Sequence, residues 1–332
     1  MRRTRTFASV LAISLFAAAC GSSGSSSDSS SDTSPVTEAS AAAATESGDK
    51  PTIKLVENAW TASAINTAIA SELITTQLGN PVEIVKIDEN TMFAGLAAGD
   101  VDAVLEIWPS GVVADEQKYL DDGSVSNDGP LGVIGKIGWF TPDYVLADYP
   151  TLSSWEGLKD PAVAKAFATA ETGDKGRFLG TDPSYSQYDE PIIKNLSLPF
   201  EVKYSGSEAA TVAELDSKVA AKEPVLMYWW TPTAAVGKYN LKNIPLPAHT
   251  DACYADPKKA DCDYPEDVLF KASSAKLATK DAKVAAFLKK FQLSNEIQLA
   301  LLPSVEIEKQ PVADVAKKWI AENESVWKAW LG

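Results

Sequence analysis

IKLVENAWTASAINTAIASELITTQLGNPVEIVKIDENTMFAGLAAGDVDAVLEIWP, residues 53–109, switches repeatedly between two apolar periods. Ile53 and Leu55 alternate in a short strand that ends near Asn58. Ile65, Ile69, Leu73 and Leu78 then recur at near-helical spacing until Gly79 supplies a stop. Val82, Ile84 and Ile87 mark a second strand, residues 91–98 a short helix, and residues 101–107 a third strand. Strand, helix, strand, helix, strand predicts an α/β fold, with sheets covered by helices.

The same rhythm continues downstream. Residues 133–140 read as an apolar strand, 161–167 as a helix and 173–180 as a Gly-rich loop. Residues 190–196 and 209–221 read as helices, and 225–229 as a strand. Two helical stretches close the chain: 281–293, with Val284, Phe287, Leu288 and Phe291, and 312–331, with Trp319, Ile320, Trp327 and Trp330. No repeat of solenoid length is present.

Upstream of residue 51 the composition changes. Residues 1–20 have the form of an export leader: Arg2, Arg3 and Arg5 precede an apolar run from residue 7 to residue 19, too short to span a bilayer. The run ends in Ala17-Ala18-Ala19-Cys20, which resembles the lipobox of bacterial lipoproteins, with Ala17 where Leu is usual. That resemblance implies lipidation of Cys20. Residues 21–50 are mostly Ser, Ala, Thr, Gly and Asp; such a stretch cannot bury enough surface to offset its ordering entropy, and a disordered tether is expected. The localisation this implies is extracytoplasmic, lipid-anchored to the outer face of the cell membrane or periplasmic. Outside the cytoplasm, Cys253 and Cys262 are expected to form a disulfide across their polar loop.

Composition excludes several functions. The 332 residues carry 45 Asp and Glu against 30 Lys and Arg, a net charge of −15, which argues against nucleic acid as a partner. The single His, His249, leaves no room for a His-rich metal site, and no cofactor is implied. Gly173-Asp174-Lys175-Gly176-Arg177-Phe178-Leu179-Gly180 lacks the Gly-Lys-Ser/Thr ending of a P-loop. The acidic loop with Asp251, Asp256, Asp261 and Asp263 lacks the order and Gly of an EF-hand, and reads as a solvated loop.

The nine Trp are more informative. Trp60, Trp108 and Trp230 each stand at a strand-to-loop junction, and Tyr185 lies in a turn-rich loop. In α/β sheets the carboxyl ends of strands are where ligands bind. Rings gathered there would form an aromatic box whose negative faces attract a quaternary ammonium. Trp319, Trp327 and Trp330 are assigned to packing, and for Trp139, Trp155 and Trp229 a structural role is the expectation.

Four segments then carry a family resemblance: Ala98-Gly99-Asp100-Val101-Asp102-Ala103 running into Trp108-Pro109; Gly180-Thr181-Asp182-Pro183-Ser184-Tyr185; Tyr228-Trp229-Trp230-Thr231-Pro232; and the helix around Trp319. The chain resembles the substrate-binding proteins of ABC importers for glycine betaine, proline betaine and choline. The resemblance implies a two-lobed periplasmic-binding-protein fold of type II, its lobes joined by two crossover strands. Residues 51–140 plus 267–332 would form one lobe and 141–266 the other, closing on the ligand between them. It implies a monomeric, non-catalytic receptor that delivers its solute to a membrane permease driven by an ATPase. Trp60, Trp108, Tyr185 and Trp230 would surround the ammonium head, and the main-chain amides of Ser186 and Gln187, assisted by Thr233, would receive the carboxylate of a betaine. The His that betaine binders commonly place beside the cage is not matched here, and the Asp of the choline branch is replaced by Ala62. Choline or carnitine is the alternative ligand; a secreted carbohydrate-active enzyme is the alternative of a different class.

Overall fold

The computed structural model describes residues 49–185 and 187–332; the leader, Cys20, all but the last two residues of the tether, and Ser186 lie outside the described residues. The stretch 53–109 folds as β1 (Ile53–Glu57), the helix Thr61–Leu73, β2 (Val82–Lys86), the helix Glu89–Ala98 and β3 (Ala103–Ile107). β1 pairs in parallel with both β2 and β3. Ile65, Ile69 and Leu73, the periodic positions of the first helix, are buried in the core. Burial contributes about 1.5–3 kcal/mol for each such side chain. The second helix ends at Gly99, whose φ of 78° is left-handed and free of a Cβ penalty, which lets the chain drop directly into β3.

The chain then enters the long β4 (Val125–Pro142) and continues through β5 (Gly176–Gly180), β6 (Phe200–Tyr204), β7 (Leu226–Thr231) and β8 (Leu241–Asn243). It returns through β9 (Glu266–Ser274) to a helical C-terminal part. The strand order is β2-β1-β3-β9-β4-β7-β5-β6, with β8 on β4. β5 is parallel to β6 and β7, whereas β3–β9, β9–β4 and β4–β7 are antiparallel. Two parallel three-stranded halves therefore meet across the β4–β9 pair, which carries the chain from one half to the other and back. This is the two-lobed, type II periplasmic-binding-protein architecture, with β4 and β9 as the crossovers.

Several element boundaries differ from the sequence expectation. β4 starts at Val125 rather than 133, because its pairing with β9 absorbs register shifts on both sides of Pro130. The expected loop 173–180 contains β5, a strand inside the sheet. Its glycines are required by packing: a Cβ at Gly176 would come 2.4 Å from the Phe200 ring, and one at Gly180 would come 2.6 Å from Tyr204. The stretch 312–331 is not one helix; Val312–Glu322 ends at Asn323, and Glu324–Trp327 starts a new turn. The stretch 281–293 is helical over Ala282–Lys290, with the Asp281 side chain capping it through the amides of Lys283 and Val284.

Cys253 and Cys262 form a disulfide with their Cα atoms 6.3 Å apart. His249 lies beside it, Nδ1 3.9 Å from the Cys262 sulfur. Among the described residues, no helix is long and apolar enough to cross a membrane.

Candidate ligand-binding site

The carboxyl ends of the strands in both halves deliver aromatic rings to one cavity. Trp60 follows β1, Trp108 follows β3, Tyr185 follows β5, and Tyr228 and Trp230 lie on β7; together with Glu89, Gly111 and Ile137 they line it. Ile137 stands opposite Trp230 in the β4–β7 ladder, on the same face. Trp60, Trp108, Tyr185 and Trp230, which the sequence nominates together, are thus brought together. Tyr185 stands edge-on to Trp60 at 5.5 Å and edge-on to Trp230 at 5.9 Å. All four are less than 10% exposed, from 5% for Trp230 to 8% for Tyr185. Their faces form an electron-rich, nearly dry enclosure in which cation–π attraction is at its strongest.

Each ring is held from behind. Glu106 points inward from β3 and is fully buried. Its Oε1 accepts the indole N–H of Trp60 at 2.7 Å and of Trp108 at 3.1 Å. Its Oε2 accepts the side-chain amides of Asn66 at 2.6 Å and Gln298 at 3.4 Å. Burial, only partly offset by the four donors, raises the Glu106 carboxyl to about 7. One side chain therefore fixes two cage rings and places a carboxylate directly behind them.

Trp108 also lies flat against the crossover strand. A Cβ at Gly135 of β4 would come 2.3 Å from its ring, which only glycine avoids. Tyr185 donates its hydroxyl to the Ala59 carbonyl at 2.7 Å, next to Trp60. Burial drives its ionisation far up, and it acts as a neutral donor. Trp229 stacks on Trp230 at 4.4 Å.

The residues nominated for a ligand carboxylate are placed differently. Thr233 is buried behind the cage, where its hydroxyl accepts the Trp229 indole N–H at 2.8 Å and faces the Trp230 carbonyl at 3.3 Å. It supports the ring pair rather than lining the cavity. The Gln187 side-chain amide donates to the Asp182 carbonyl at 2.6 Å, and Gln187 is not among the described residues lining the cavity. His249 stays at the disulfide, with Nδ1 3.1 Å from the Asp263 carbonyl. Trp139 donates its indole N–H to the buried Asp189 at 2.6 Å and belongs to the core.

Glu106, Glu89, Ile137 and Tyr228 were missed, and two of them had a signal. Glu106 is the one charged residue in the strand Ala103–Ile107, every residue of which is buried. A carboxylate there needs donors, and the Trp108 indole stands two residues further on. Tyr228 is two residues before Trp230 on one strand and shares its face. Glu89 carried none: it looked like an ordinary acidic residue in the first turn of a helix.

A family described as the substrate-binding domain of ABC-type glycine betaine transport systems matches residues 51–322. The chain belongs to this family. Its members are binding proteins of ABC transporters. The trimethylamine N-oxide-binding protein of Pelagibacter ubique is 30% identical over 258 residues, covering 75% of this chain and 81% of that protein. The glycine betaine/proline betaine-binding periplasmic protein of Salmonella typhimurium is 24% identical over 206 residues, 58% of this chain and 59% of that protein. Among solved structures, lactococcal OpuAC in its closed, glycine betaine-bound form superposes with a TM-score of 0.67 at 20% identity, over 86% of this chain and all of that one. An ABC-transporter choline-binding protein in complex with choline superposes with a TM-score of 0.69 at 18% identity, over 84% and 91% of the two chains. Both share the fold.

Proposed function

We propose that this protein is the extracytoplasmic receptor of an ABC importer and captures a trimethylated ammonium solute between residues 51–140 with 267–332 on one side and 141–266 on the other. The observation that carries this is the four-ring cage, to which Trp60 and Trp108 come from one side and Tyr185 and Trp230 from the other. A methylated head exchanges weak hydration for ring faces worth about 2 kcal/mol or more apiece when desolvated. Because the rings come from both sides, the ligand favours the closed form over the open one and shifts the population towards it. Closure then presents the loaded receptor to the permease.

The charge around the cage orders the candidate ligands. Among the described residues its lining includes the carboxylate residue Glu89, and no Lys, Arg or His. A head group that ends in a hydroxyl can donate to a carboxylate, whereas a ligand carboxylate is repelled by it. Choline is therefore ranked ahead of glycine betaine, and trimethylamine N-oxide is placed beside it on the likeness to the Pelagibacter relative. Calorimetric titration of the mature protein with trimethylamine N-oxide, choline, glycine betaine and carnitine tests both steps. Saturable binding of at least one of the first two is expected; binding of none of the four would end the reading.

We further propose a lipid anchor at Cys20, on the lipobox resemblance, and a monomeric working form, on the resemblance to the family. Cys20→Ala is expected to move the protein from the membrane fraction to the soluble one.

A further inference from the structure

Two glutamates outside the cage connect its two sides reciprocally. Glu208 opens the helix Glu208–Ala221, within the 141–266 segment. Its Oε2 accepts the main-chain N–H of Thr61 at 2.8 Å and the Thr61 hydroxyl at 3.0 Å. Thr61 begins the helix behind Trp60, and Trp60, as the preceding residue, has no side chain able to cap it. Glu306 ends the helix Asn295–Glu306, within the 267–332 segment. Its Oε2 accepts the main-chain N–H of Ala234 at 2.9 Å, four residues beyond Trp230. Each carboxyl group thus stands on one side and holds, on the other, the backbone at the foot of a cage ring. Neither bond survives separation of the two sides.

We propose that Glu208 and Glu306 are positioning residues that latch the closed cage, and that closure takes up a proton on this pair, so that ligand is held more tightly in acid than in alkali. The inference rests on the two-sided capture described above. Among the described residues Glu306 Oε1 is buried without a hydrogen-bond partner, which makes it the oxygen on which the proton sits. Burial, followed by the charge of Glu208, pushes the Glu306 carboxyl up to about 8; burial also raises Glu208, against the pull of its bonds from Thr61. Lys309, which donates to the Glu306 carbonyl at 2.5 Å, lowers both without neutralising the pair. The other charged groups facing this space are Asp88 and the Glu57–Lys86 ion pair, at 3.0 Å.

The sign follows from linkage. In an open cleft the Glu306 carboxyl is wetted and returns towards its ordinary value of 4.5, against about 8 when closed. Between those values the closed form holds more protons, and affinity strengthens as pH falls, by up to about tenfold per pH unit for one proton. Below the window both forms are protonated, and above it neither is. Glu106 works in the opposite direction, because an ammonium in the cage favours its ionised form. The comparison of wild type with Glu306→Gln separates the two.

Dissociation constants for trimethylamine N-oxide, choline and glycine betaine are measured on the mature chain at pH 8.5 and pH 6.5, for wild type and Glu306→Gln. The affinity of wild type relative to the variant is expected to rise on the order of tenfold between the two pH values. A ratio that stays constant, or falls, overturns the proposal. If none of the three solutes binds, the ligand reading has failed by itself, and hydrogen exchange at the amides of Thr61 and Ala234 judges the latch. Glu208→Ala should speed exchange at Thr61 and Glu306→Ala at Ala234; unchanged exchange at both would overturn it.

Discussion

Replacing Glu106 with leucine removes the one acceptor shared by Trp60 and Trp108 while nearly preserving side-chain volume. Four donors lose this acceptor; Gln298 still donates to the Asn66 side-chain oxygen at 3.2 Å, whereas the two indoles and the Asn66 side-chain amide are left without a partner. A stranded buried donor costs about 1–3 kcal/mol, and with at least two indoles stranded the fold should lose roughly 2–6 kcal/mol. Binding should suffer separately. If each freed ring forfeits its cation contact of about 2 kcal/mol, affinity falls roughly 30-fold for one ring and roughly 1000-fold for both. The assay is a pair of measurements on Glu106→Leu: thermal unfolding, then calorimetric titration well below the melting temperature. Trp327→Ala is the control; Trp327 is buried in the C-terminal part, with its indole on the Ile320 carbonyl, and does not line the cage. The control should lose stability with its dissociation constant unchanged. If Glu106→Leu also lost only stability and bound ligand at the wild-type constant, the carboxylate would be a core residue and nothing more.

Trp230→Ala should weaken ligand binding by at least about 30-fold, since it deletes a cage face and the stacking partner of Trp229; calorimetric titration reads this directly. Glu89→Gln removes a negative charge from the cavity lining and should raise the affinity for glycine betaine relative to choline, on the order of tenfold, as measured by competitive titration. Reducing the Cys253–Cys262 bridge, or replacing both residues with Ser, should lower stability by about 2–3 kcal/mol in denaturant unfolding without moving the dissociation constant, because the short loop it closes lies away from the cage.

The α/β class was legible in residues 53–109, where the apolar period switches from strand to helix and back at glycines the structure also uses. The rings of the cage were legible for a related reason: large aromatics at strand ends have few structural explanations, and four coincide. Position in the sheet was harder to read. Gly176 and Gly180 looked like a loop because their strand role depends on Phe200 and Tyr204, some twenty residues away. The polar residues fared worst. Thr233 sits next to the cage in sequence, but its hydroxyl accepts the Trp229 indole N–H on the far side of the strand. Glu208 and Glu306 take their meaning from donors 147 and 72 positions away, distances over which a sequence carries no hydrogen-bond signal.

The central claim is that ring faces bind a positive charge and not merely a shape. Each trimethylammonium solute has a neutral-headed counterpart with a tert-butyl group in place of the cation: 3,3-dimethyl-1-butanol for choline, tert-butanol for trimethylamine N-oxide, 3,3-dimethylbutanoate for glycine betaine. Calorimetric titration of the best ligand against its counterpart should show the counterpart at least about 30-fold weaker. Equal affinity of the two would contradict the account.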